Sequence, residues 1–401
     1  MVPYLIVFGA SAGVAFVATP LVRWLALRIG AVDHPSDRKV HPRPTPTLGG
    51  LAMFLGLLAG LGTSRLLPVF DDLSRRSSEP LAALVAATAV VVVGAIDDLR
   101  SISPPAKAAG QVLAAGLMIL AGVQLLWFVL PGLGVLALSP DLAVPLTVLW
   151  TLAMVNAVNL IDGLDGLAAG MVAIAAAAFF VYMERSPSTF GAGSAAALLS
   201  AIAAGVAVGF LPWNFHPARI FMGDSGAMLL GTLLAVATIS GVGRNPYPPT
   251  GGDLAVILIP LFVPLLVLAI PFLDVCFAIV RRVRRGRRIT HADKEHIHHR
   301  LLDIGHSHRG AVLLMYLWSA LISGSGLAVA FIDSRPLVAA TWVLAAAVFA
   351  ATALPRLVGH QGRRRQPGAE TNGPAALPPG IPREAGGPAP APSRRAPRPA
   401  P

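Results

Sequence analysis

Long apolar stretches separated by short polar segments make up most of the chain. Eleven of these stretches meet or nearly meet the length of about 17 to 25 residues that a helix needs to cross a hydrocarbon core of roughly 30 Å. They lie at approximately residues 3–22, 48–64, 81–96, 107–124, 142–161, 167–183, 194–213, 225–243, 254–280, 311–332 and 336–354. The pattern predicts an all-α polytopic membrane protein with about eleven transmembrane helices.

One further apolar piece, residues 125–138, does not fit this pattern. It is broken by Pro131, Gly132 and Gly134, so we interpret it as an interfacial or re-entrant connection. Three pairs of glycines spaced four residues apart predict close packing between spans. These pairs are Gly9 and Gly13, Gly56 and Gly60, and Gly205 and Gly209.

Positive charge is distributed unevenly over the two sides of such a bundle. The odd-numbered connections and the C-terminal segment carry 25 of the 31 Lys and Arg residues, and all ten His residues fall on the same side. Because cytoplasmic segments of membrane proteins are enriched in Lys and Arg, this asymmetry predicts that these segments are cytoplasmic and that the N-terminus is outside. We therefore expect a multi-pass protein of the plasma membrane.

Composition agrees with this interpretation and limits the chemistry. Of 401 residues, 55% are hydrophobic and only 13% are charged, about half the roughly 25% that is usual in soluble domains. The formal net charge is +11. A single cysteine, Cys276, excludes an internal disulfide and a cysteine-based metal site, which leaves carboxylate, amide and imidazole groups as ligands.

The last 47 residues differ from the rest of the chain. Residues 355–401 contain twelve prolines and eight arginines and few large apolar side chains. We therefore expect two parts, a transmembrane catalytic domain over residues 1–354 and a disordered Pro/Arg-rich cytoplasmic tail over residues 355–401. Because no aromatic residues stand between the arginines, the tail is expected to contact anionic lipid rather than nucleic acid.

Two of the five predicted cytoplasmic loops are rich in cations. Loop one contains Lys39 and Arg43 in a proline-stiffened segment that suits a phosphate or pyrophosphate, although ordinary positive-inside charge explains it equally well. Loop five has imidazole and guanidinium donors that suit a pyrophosphate better than a zinc ion. Those donors are His296, His298, His299 and Arg300.

The other three loops carry acids at the ends of spans, where a carboxylate facing the bundle is usually paired, metal-bound or functional. Loop two begins with Asp97 and Asp98, which point about 100° apart if helical and so serve different roles. Loop three repeats Asn159, Asp162 and Asp165 without a Lys or Arg, and loop four ends at Asp224. Oxygen ligands of this kind suit Mg²⁺. Water-facing helix ends and an ordinary helix cap remain alternatives for loops two and four.

All five loops follow odd-numbered spans and therefore meet at one membrane face. Acids that hold Mg²⁺, beside cations that hold phosphates, indicate transfer of a phosphate-containing group onto or off a lipid. The motifs resemble those of the polyprenyl-phosphate N-acetylhexosamine-1-phosphate transferases, glycosyltransferase family 4, and most of all the undecaprenyl-phosphate GlcNAc-1-phosphate branch. The resemblance covers residues 1–354 and rests on Pro44–Gly50, Asp97–Asp98, Asn156–Gly166, Phe221–Gly226 and His296–Arg300.

The resemblance implies residue roles that spacing alone does not give. Asp224 and Asn159 resemble Mg²⁺ ligands, with Mn²⁺ as an alternative ion, and Asp97 and Asp98 resemble a pair that engages the lipid phosphate. With Asp224 they form the expected catalytic set. Loops one, three, four and five supply the expected substrate-binding positions: Lys39, Arg43, Asp162, Asp165, Asn214, His296, His298, His299 and Arg300.

The expected reaction is attack of a polyprenyl phosphate on the β-phosphorus of a UDP-N-acetylhexosamine, giving polyprenyl-diphospho-sugar and UMP. Asp97 could orient the nucleophile, deprotonate it or form a covalent intermediate, and the sequence leaves these open. The alternative within the family is a phospho-N-acetylmuramoyl-pentapeptide transferase. A secondary transporter is the alternative from another class, but it predicts polar residues near the middle of spans, and here only Asp274 lies within a span. A homodimer is also left open.

Overall fold

The computed structural model describes residues 1–35, 43–130, 134–185, 194–243, 284, 306–332 and 334–363. The helices are α1 (Val2–Ile29), α2 (Gly49–Ser64), α3 (Asp71–Arg76), α4 (Glu79–Arg100), α5 (Pro104–Leu120), α6 (Pro140–Ile161), α7 (Leu167–Arg185), α8 (Ala195–Asn214), α9 (Gly223–Thr238), α10 (His308–Phe331) and α11 (Arg335–Arg363). A 3₁₀ turn, Pro68–Phe70, precedes α3, and a π-helical turn, Ile239–Gly243, continues α9.

The local sequence explains where many of these helices begin. Proline stands in the first turn of α1, α4, α5 and α6, where its missing N–H would have no partner in any case. Ser194 and Ser307 precede α8 and α10, and their hydroxyl oxygens accept hydrogen bonds from Ala197 N and Gly310 N. These caps satisfy N–H groups that a helix cannot pair internally.

Within the described residues, seven helices are long and apolar enough to cross a membrane, namely α1, α4, α6, α7, α8, α9 with its π turn, and α10. An eighth span results if α2 and the segment after it, which bends by 92°, are one crossing. Helix α5 matches the expected span at 107–124 but has only 17 residues. The expected span at 254–280 lies outside the described residues, so the total of eleven and the sidedness stay predictions.

Two short antiparallel strand pairs add to the predicted helices. Strands β1 (Val32–Asp33) and β2 (Thr45–Pro46) pair within loop one, and β3 (Trp127–Leu130) pairs with β4 (Gly134–Ala137). The second pair occupies the piece that we expected to be an interfacial or re-entrant connection. Because β3 and β4 are consecutive antiparallel strands, this piece of the chain forms a β-hairpin.

Small residues let the central helices approach closely. Helices α8 and α9 are largely buried, whereas α1 is exposed over most of its apolar surface. A Cβ on Gly56 would come 2.8 Å from the Ser11 carbonyl of α1, and one on Gly205 would come 2.6 Å from the Phe8 carbonyl. These contacts agree with the predicted packing of two glycine pairs, but Gly9 and Gly13 have nothing within 4 Å.

The chain divides into two compact units, Met1–Val358 and Gly359–Pro401. Of the second unit the structure describes only the helical residues 359–363. The expected division into a catalytic domain at 1–354 and a tail at 355–401 stays a prediction. The site described below lies in the first unit.

Candidate active site

An acidic cavity of about 630 Å³ lies at one end of the bundle. Its walls come from the ends of α1, α4 and α6, the starts of α9 and α10, and the loops between them. Six carboxylates are among its lining residues, and the other lining residues are mostly small or polar. The carboxylates belong to Asp33, Asp97, Asp98, Asp162, Asp165 and Asp224.

Backbone pairing between loops one and four builds one wall of this cavity. Phe221 N donates to Pro46 O at 2.9 Å, Gly49 N donates to Phe221 O at 3.0 Å, and Gly50 N donates to Met222 O at 2.9 Å. These three bonds join Pro46, Gly49 and Gly50 to Phe221 and Met222. They fix the start of α2 beside the start of α9.

A lysine joins two of the carboxylates. The Lys107 ammonium, at the start of α5, lies 3.2 Å from Asp97 Oδ2 and also donates to Asp224 Oδ1. The Asn159 amide donates to the same Asp224 oxygen. Asp97 is held further by Ile102 N, which donates to its Oδ1 at 2.7 Å. Four helices, α4, α5, α6 and α9, therefore place two acids, a cation and an amide in contact.

The neighbouring acid, Asp98, has different partners. Its Oδ1 accepts a hydrogen bond from Asp224 N at 2.8 Å, and its Oδ2 accepts from Ser225 Oγ at 2.7 Å and Ser225 N at 3.3 Å. Asp98 thus binds the N-terminal end of α9. The two adjacent acids therefore have separate partners, which agrees with their predicted 100° offset on α4.

Asp162 lies in the loop between α6 and α7. Burial, together with the negative charges of Asp224, Asp98 and Asp165, raises the pKa of its carboxyl group from 3.8 to about 8. A neutral Asp162 lowers the repulsion among the acids that line the cavity. A cation bound among these acids would favour the ionised form.

A second cluster contains Asp165 and two histidines. Asp165 Oδ2 lies 2.7 Å from His216 Nδ1 and accepts from Ala218 N at 3.0 Å, while Asp165 N donates to His308 Nε2 at 3.1 Å. The two imidazole rings are stacked with centroids 4.1 Å apart and planes at 15°. This cluster ties loops three and four to the first turn of α10.

The ligand atoms of these three residues all lie within 4.8 Å of one another, which raises the question of a metal site. Imidazole lone pairs lie in the ring plane, and the planes of His216 and His308 are nearly parallel, so their lone pairs do not converge on one point. We therefore interpret the cluster as a hydrogen-bonded support rather than a metal centre.

The cluster around Asp224 fits a magnesium ion better. Its possible metal ligands are the carboxylate oxygens of Asp97 and Asp224 and the amide oxygen of Asn159. Mg²⁺ prefers oxygen ligands of these kinds. The ammonium of Lys107 already lies between two of these carboxylates, so the site attracts positive charge. Asp224 and Asn159 are the residues that we expected to hold the metal, and they are in direct contact.

Asn214 serves a structural purpose in addition to lining the cavity. Its side chain is 1% exposed. Its Oδ1 accepts from Gly166 N and its Nδ2 donates to Ile220 O, both at 3.1 Å. Both ends of the amide are therefore occupied by backbone groups of loops three and four, which reduces its capacity to bind substrate directly.

The structure brings together seven of the residues that the sequence singled out: Asp97, Asp98, Asn159, Asp162, Asp165, Asn214 and Asp224. Arg43 is exposed and is not among the residues that line the cavity. Five predicted substrate-binding residues, Lys39, His296, His298, His299 and Arg300, lie outside the described residues, as does Asp274.

Four residues of the site are not among the site residues predicted from the sequence. Lys107 and Ser225 contact the acids directly, and His216 and His308 hold Asp165. A lone lysine at the start of an apolar helix, nine residues after Asp98, is a signal that could have identified Lys107. The spacing of the two histidines gives no such signal because they are 92 residues apart.

Comparison with known proteins agrees with this geometry. The model of the family described as glycosyl transferase family 4 matches residues 80–242. A decaprenyl-phosphate N-acetylglucosaminephosphotransferase of Mycobacterium leprae is 41% identical over 333 residues, which cover 81% of this chain and 83% of that protein. A probable undecaprenyl-phosphate N-acetylglucosaminyl 1-phosphate transferase of Bacillus subtilis is 36% identical, covering 82% of this chain and 85% of its own.

A more distant relative belongs to a different branch. A phospho-N-acetylmuramoyl-pentapeptide-transferase of Mycolicibacterium smegmatis is 32% identical over 368 residues, which cover 82% of this chain and 97% of that protein. The N-acetylglucosamine relatives thus share more identity with this chain.

Proposed function

Because the chain belongs to glycosyl transferase family 4, we propose that it transfers N-acetylglucosamine-1-phosphate from UDP-N-acetylglucosamine to polyprenyl phosphate. The products are polyprenyl-diphospho-N-acetylglucosamine and UMP, and the lipid-linked sugar starts a cell-envelope polysaccharide. The observation that carries this proposal is the contact of Lys107 with Asp97 and Asp224 beside Asn159, in an acidic cavity at the end of an apolar bundle.

The location of the cavity suits a reaction between a lipid and a soluble nucleotide. Its lining residues stand at the ends of membrane-crossing helices, where a lipid phosphate resides, and the cavity is large enough for a sugar nucleotide group. The excess of Lys and Arg in the odd-numbered connections supports a site on the cytoplasmic face of the plasma membrane.

The reaction forms a bond between an acceptor phosphate oxygen and the β-phosphorus of the donor, and it breaks the bond from that phosphorus to the bridging oxygen, which leaves with UMP. A phosphate monoester has a second pKa near 6, so the acceptor is mostly dianionic at neutral pH. The chain therefore needs no strong general base. Asp97 and Lys107 orient the acceptor phosphate. The acceptor then displaces UMP from the donor directly, without a covalent intermediate on the protein.

Lys107 has a second task in this scheme. Its ammonium is a point charge that binds phosphate oxygens and offsets the negative charge that accumulates when two phosphate groups meet. Asp224 and Asn159 are placed to hold Mg²⁺ or Mn²⁺ through their oxygens. Such an ion, when bound, would neutralise charge on the diphosphate.

An assay of UMP release tests this proposal. Purified protein receives Mg²⁺, polyprenyl phosphate and one of four donors: UDP-N-acetylglucosamine, UDP-N-acetylgalactosamine, UDP-glucose or UDP-N-acetylmuramoyl-pentapeptide. We expect UMP from UDP-N-acetylglucosamine only when lipid phosphate and Mg²⁺ are both present. UMP from the muramoyl-pentapeptide donor alone would assign the chain to the other branch, and no UMP from any donor would contradict the proposal.

A pair of Asp→Asn variants, one in the cavity and one on the surface, tests whether the activity depends on this cavity. Asp224→Asn keeps the size of the side chain but removes the charge beside Lys107, so turnover should be lost. Asp72→Asn makes the same chemical change in α3, where the side chain is 88% exposed and pairs with Arg76. It should be as active as wild type.

A further inference from the structure

The Asp98 carboxylate contacts the first residues of α9 through both of its oxygens. Both oxygens accept hydrogen bonds, from the backbone N–H groups of Asp224 and Ser225 and from the Ser225 hydroxyl. The N-terminal N–H groups of a helix have no partners within the helix, and an anion beside them is favoured by the helix dipole. Helix α9 has no side-chain cap of its own at Met222. Its cap is supplied by α4 instead.

The helices approach so closely that the contact has little freedom. A Cβ on Gly94 of α4 would lie 2.5 Å from Ser225 N, and a Cβ on Gly50 of α2 would lie 2.5 Å from Ser225 Oγ. A Cβ on Gly223 would lie 2.5 Å from both Asp98 Oδ1 and Thr47 Oγ1. Ser225, at the start of α9, is therefore enclosed between α2 and α4, and its hydroxyl donates to Asp98.

This arrangement bears directly on Asp224. The residue whose backbone N–H binds Asp98 is the same residue whose side chain meets Lys107 and Asn159. Holding the Asp224 backbone therefore fixes where its side chain starts, and Lys107 and Asn159 hold the carboxylate at its other end. Asp97 has its Oδ2 facing the Lys107 ammonium, whereas Asp98 would have to give up its bonds to α9 before it could act on a substrate.

We propose that Asp98 is a positioning residue that caps α9 and thereby aims the Asp224 carboxylate, and that the Ser225 hydroxyl is the second part of this cap. The proposal rests on the proposed function, because it assigns the two acids of loop two to different tasks in one reaction. Asp97 and Asp224 are then the catalytic acids. Asp98 acts through Asp224 alone.

The test compares Asp98→Asn, Ser225→Ala and the double variant with wild type and with the exposed control Asp72→Asn. The first measurement is amide hydrogen exchange in the peptide that contains Gly223–Gly226. The second is binding of Mn²⁺ alone, followed by electron paramagnetic resonance, which reports on the Asp224 side chain without turnover. The third is kcat and the concentration of Mg²⁺ that gives half of maximal activity.

We expect exchange at the start of α9 to rise in Asp98→Asn and, less strongly, in Ser225→Ala. Residues that orient a metal ligand typically change affinity or activity by about 10- to 100-fold, so Mn²⁺ binding should weaken by that factor in Asp98→Asn. Excess Mg²⁺ should restore part of its activity. The double variant should resemble Asp98→Asn, because the two side chains belong to one interaction and their effects are not additive.

A catalytic Asp98 predicts a different set of results. Asp98→Asn would then bind Mn²⁺ like wild type and stay inactive at any Mg²⁺ concentration, and Ser225→Ala would be fully active. That outcome, or wild-type protein that binds no Mn²⁺, overturns the proposal. Failure of the proposed function shows separately, as a wild type that binds Mn²⁺ but releases no UMP.

Discussion

Substitution of Gly223 by alanine adds a single methyl group but should lower both the stability and the activity of the protein. Gly223 has a φ of +69°, and Gly30, at the end of α1, has a φ of +76°. Both residues lie in the left-handed region, where an L-residue costs about 1 to 2 kcal/mol. The surroundings differ, because a Cβ at Gly30 has nothing within 4 Å, whereas a Cβ at Gly223 would collide with Asp98 and Thr47. Gly30→Ala is therefore a matched control for backbone strain.

The difference between the two variants measures the contact with Asp98. To relieve the collision, Asp98 must move away from α9, and each hydrogen bond to a charged group that is lost costs about 1.5 to 3 kcal/mol. If one such bond is lost, Gly223→Ala is destabilised by about 2.5 to 5 kcal/mol, against about 1 to 2 kcal/mol for Gly30→Ala. At about 2 °C per kcal/mol for a large domain, the unfolding temperature should fall by about 5 to 10 °C and about 2 to 4 °C, respectively.

Differential scanning fluorimetry of the purified protein in detergent gives both unfolding temperatures, and UMP release gives the activities. Gly223→Ala should also lose most of its turnover, because a displaced Asp98 no longer holds Asp224. Equal unfolding temperatures and equal activity in the two variants would refute the close approach of α4 and α9 at this point.

Three further substitutions test other parts of the site. Lys107→Met leaves Asp97 and Asp224 facing each other without a cation, so it should abolish turnover and lower the unfolding temperature. Added Mg²⁺ should raise the unfolding temperature of this variant more than that of wild type. An equal rise in both proteins would argue against a cation site shared by the two acids. Asp162→Asn removes a carboxyl group whose pKa rises from 3.8 to about 8 on folding, so wild type loses stability as the pH rises from 3.8 to about 8. Without Mg²⁺ the variant should unfold at a higher temperature than wild type near pH 8. This difference in unfolding temperature should vanish toward pH 3.8. A difference independent of pH would contradict the raised pKa of Asp162. Gly170→Ala in α7 would force a Cβ into the ring of Tyr316, whose hydroxyl donates to Gly166 O. The variant should therefore unfold at a lower temperature than wild type. Adding Tyr316→Ala removes the ring, so the double variant should lose less stability to the alanine at position 170.

The parts of the molecule that the sequence predicted well are those with a strong local signal. The hydrophobic runs gave the helices, because a membrane requires about 20 apolar residues for each crossing. The acids at the span ends were correctly expected to meet, since connections of the same parity share one side of a bundle. Asp97, Asn159 and Asp224 come from three separate segments and line one cavity.

The remaining features depend on contacts that sequence patterns do not encode. Lys107 was counted only as part of the charge asymmetry, although it joins two of the acids. Asp98 could be distinguished from Asp97 by its angle on the helix, but its partner, the start of α9, is 126 residues away. The hairpin of β3 and β4 was missed because its apolar runs suit either a broken span or a strand pair.

The fate of a labelled phosphate tests the central claim most directly. UDP-N-acetylglucosamine that carries ³²P in its β-phosphate is incubated with the protein, Mg²⁺ and polyprenyl phosphate, and the organic and aqueous phases are counted. Transfer of the sugar together with its phosphate predicts label in the lipid fraction and unlabelled UMP in water. Label that stays in the aqueous phase as UDP, with sugar on the lipid, would contradict the account because the chain would then transfer the sugar alone.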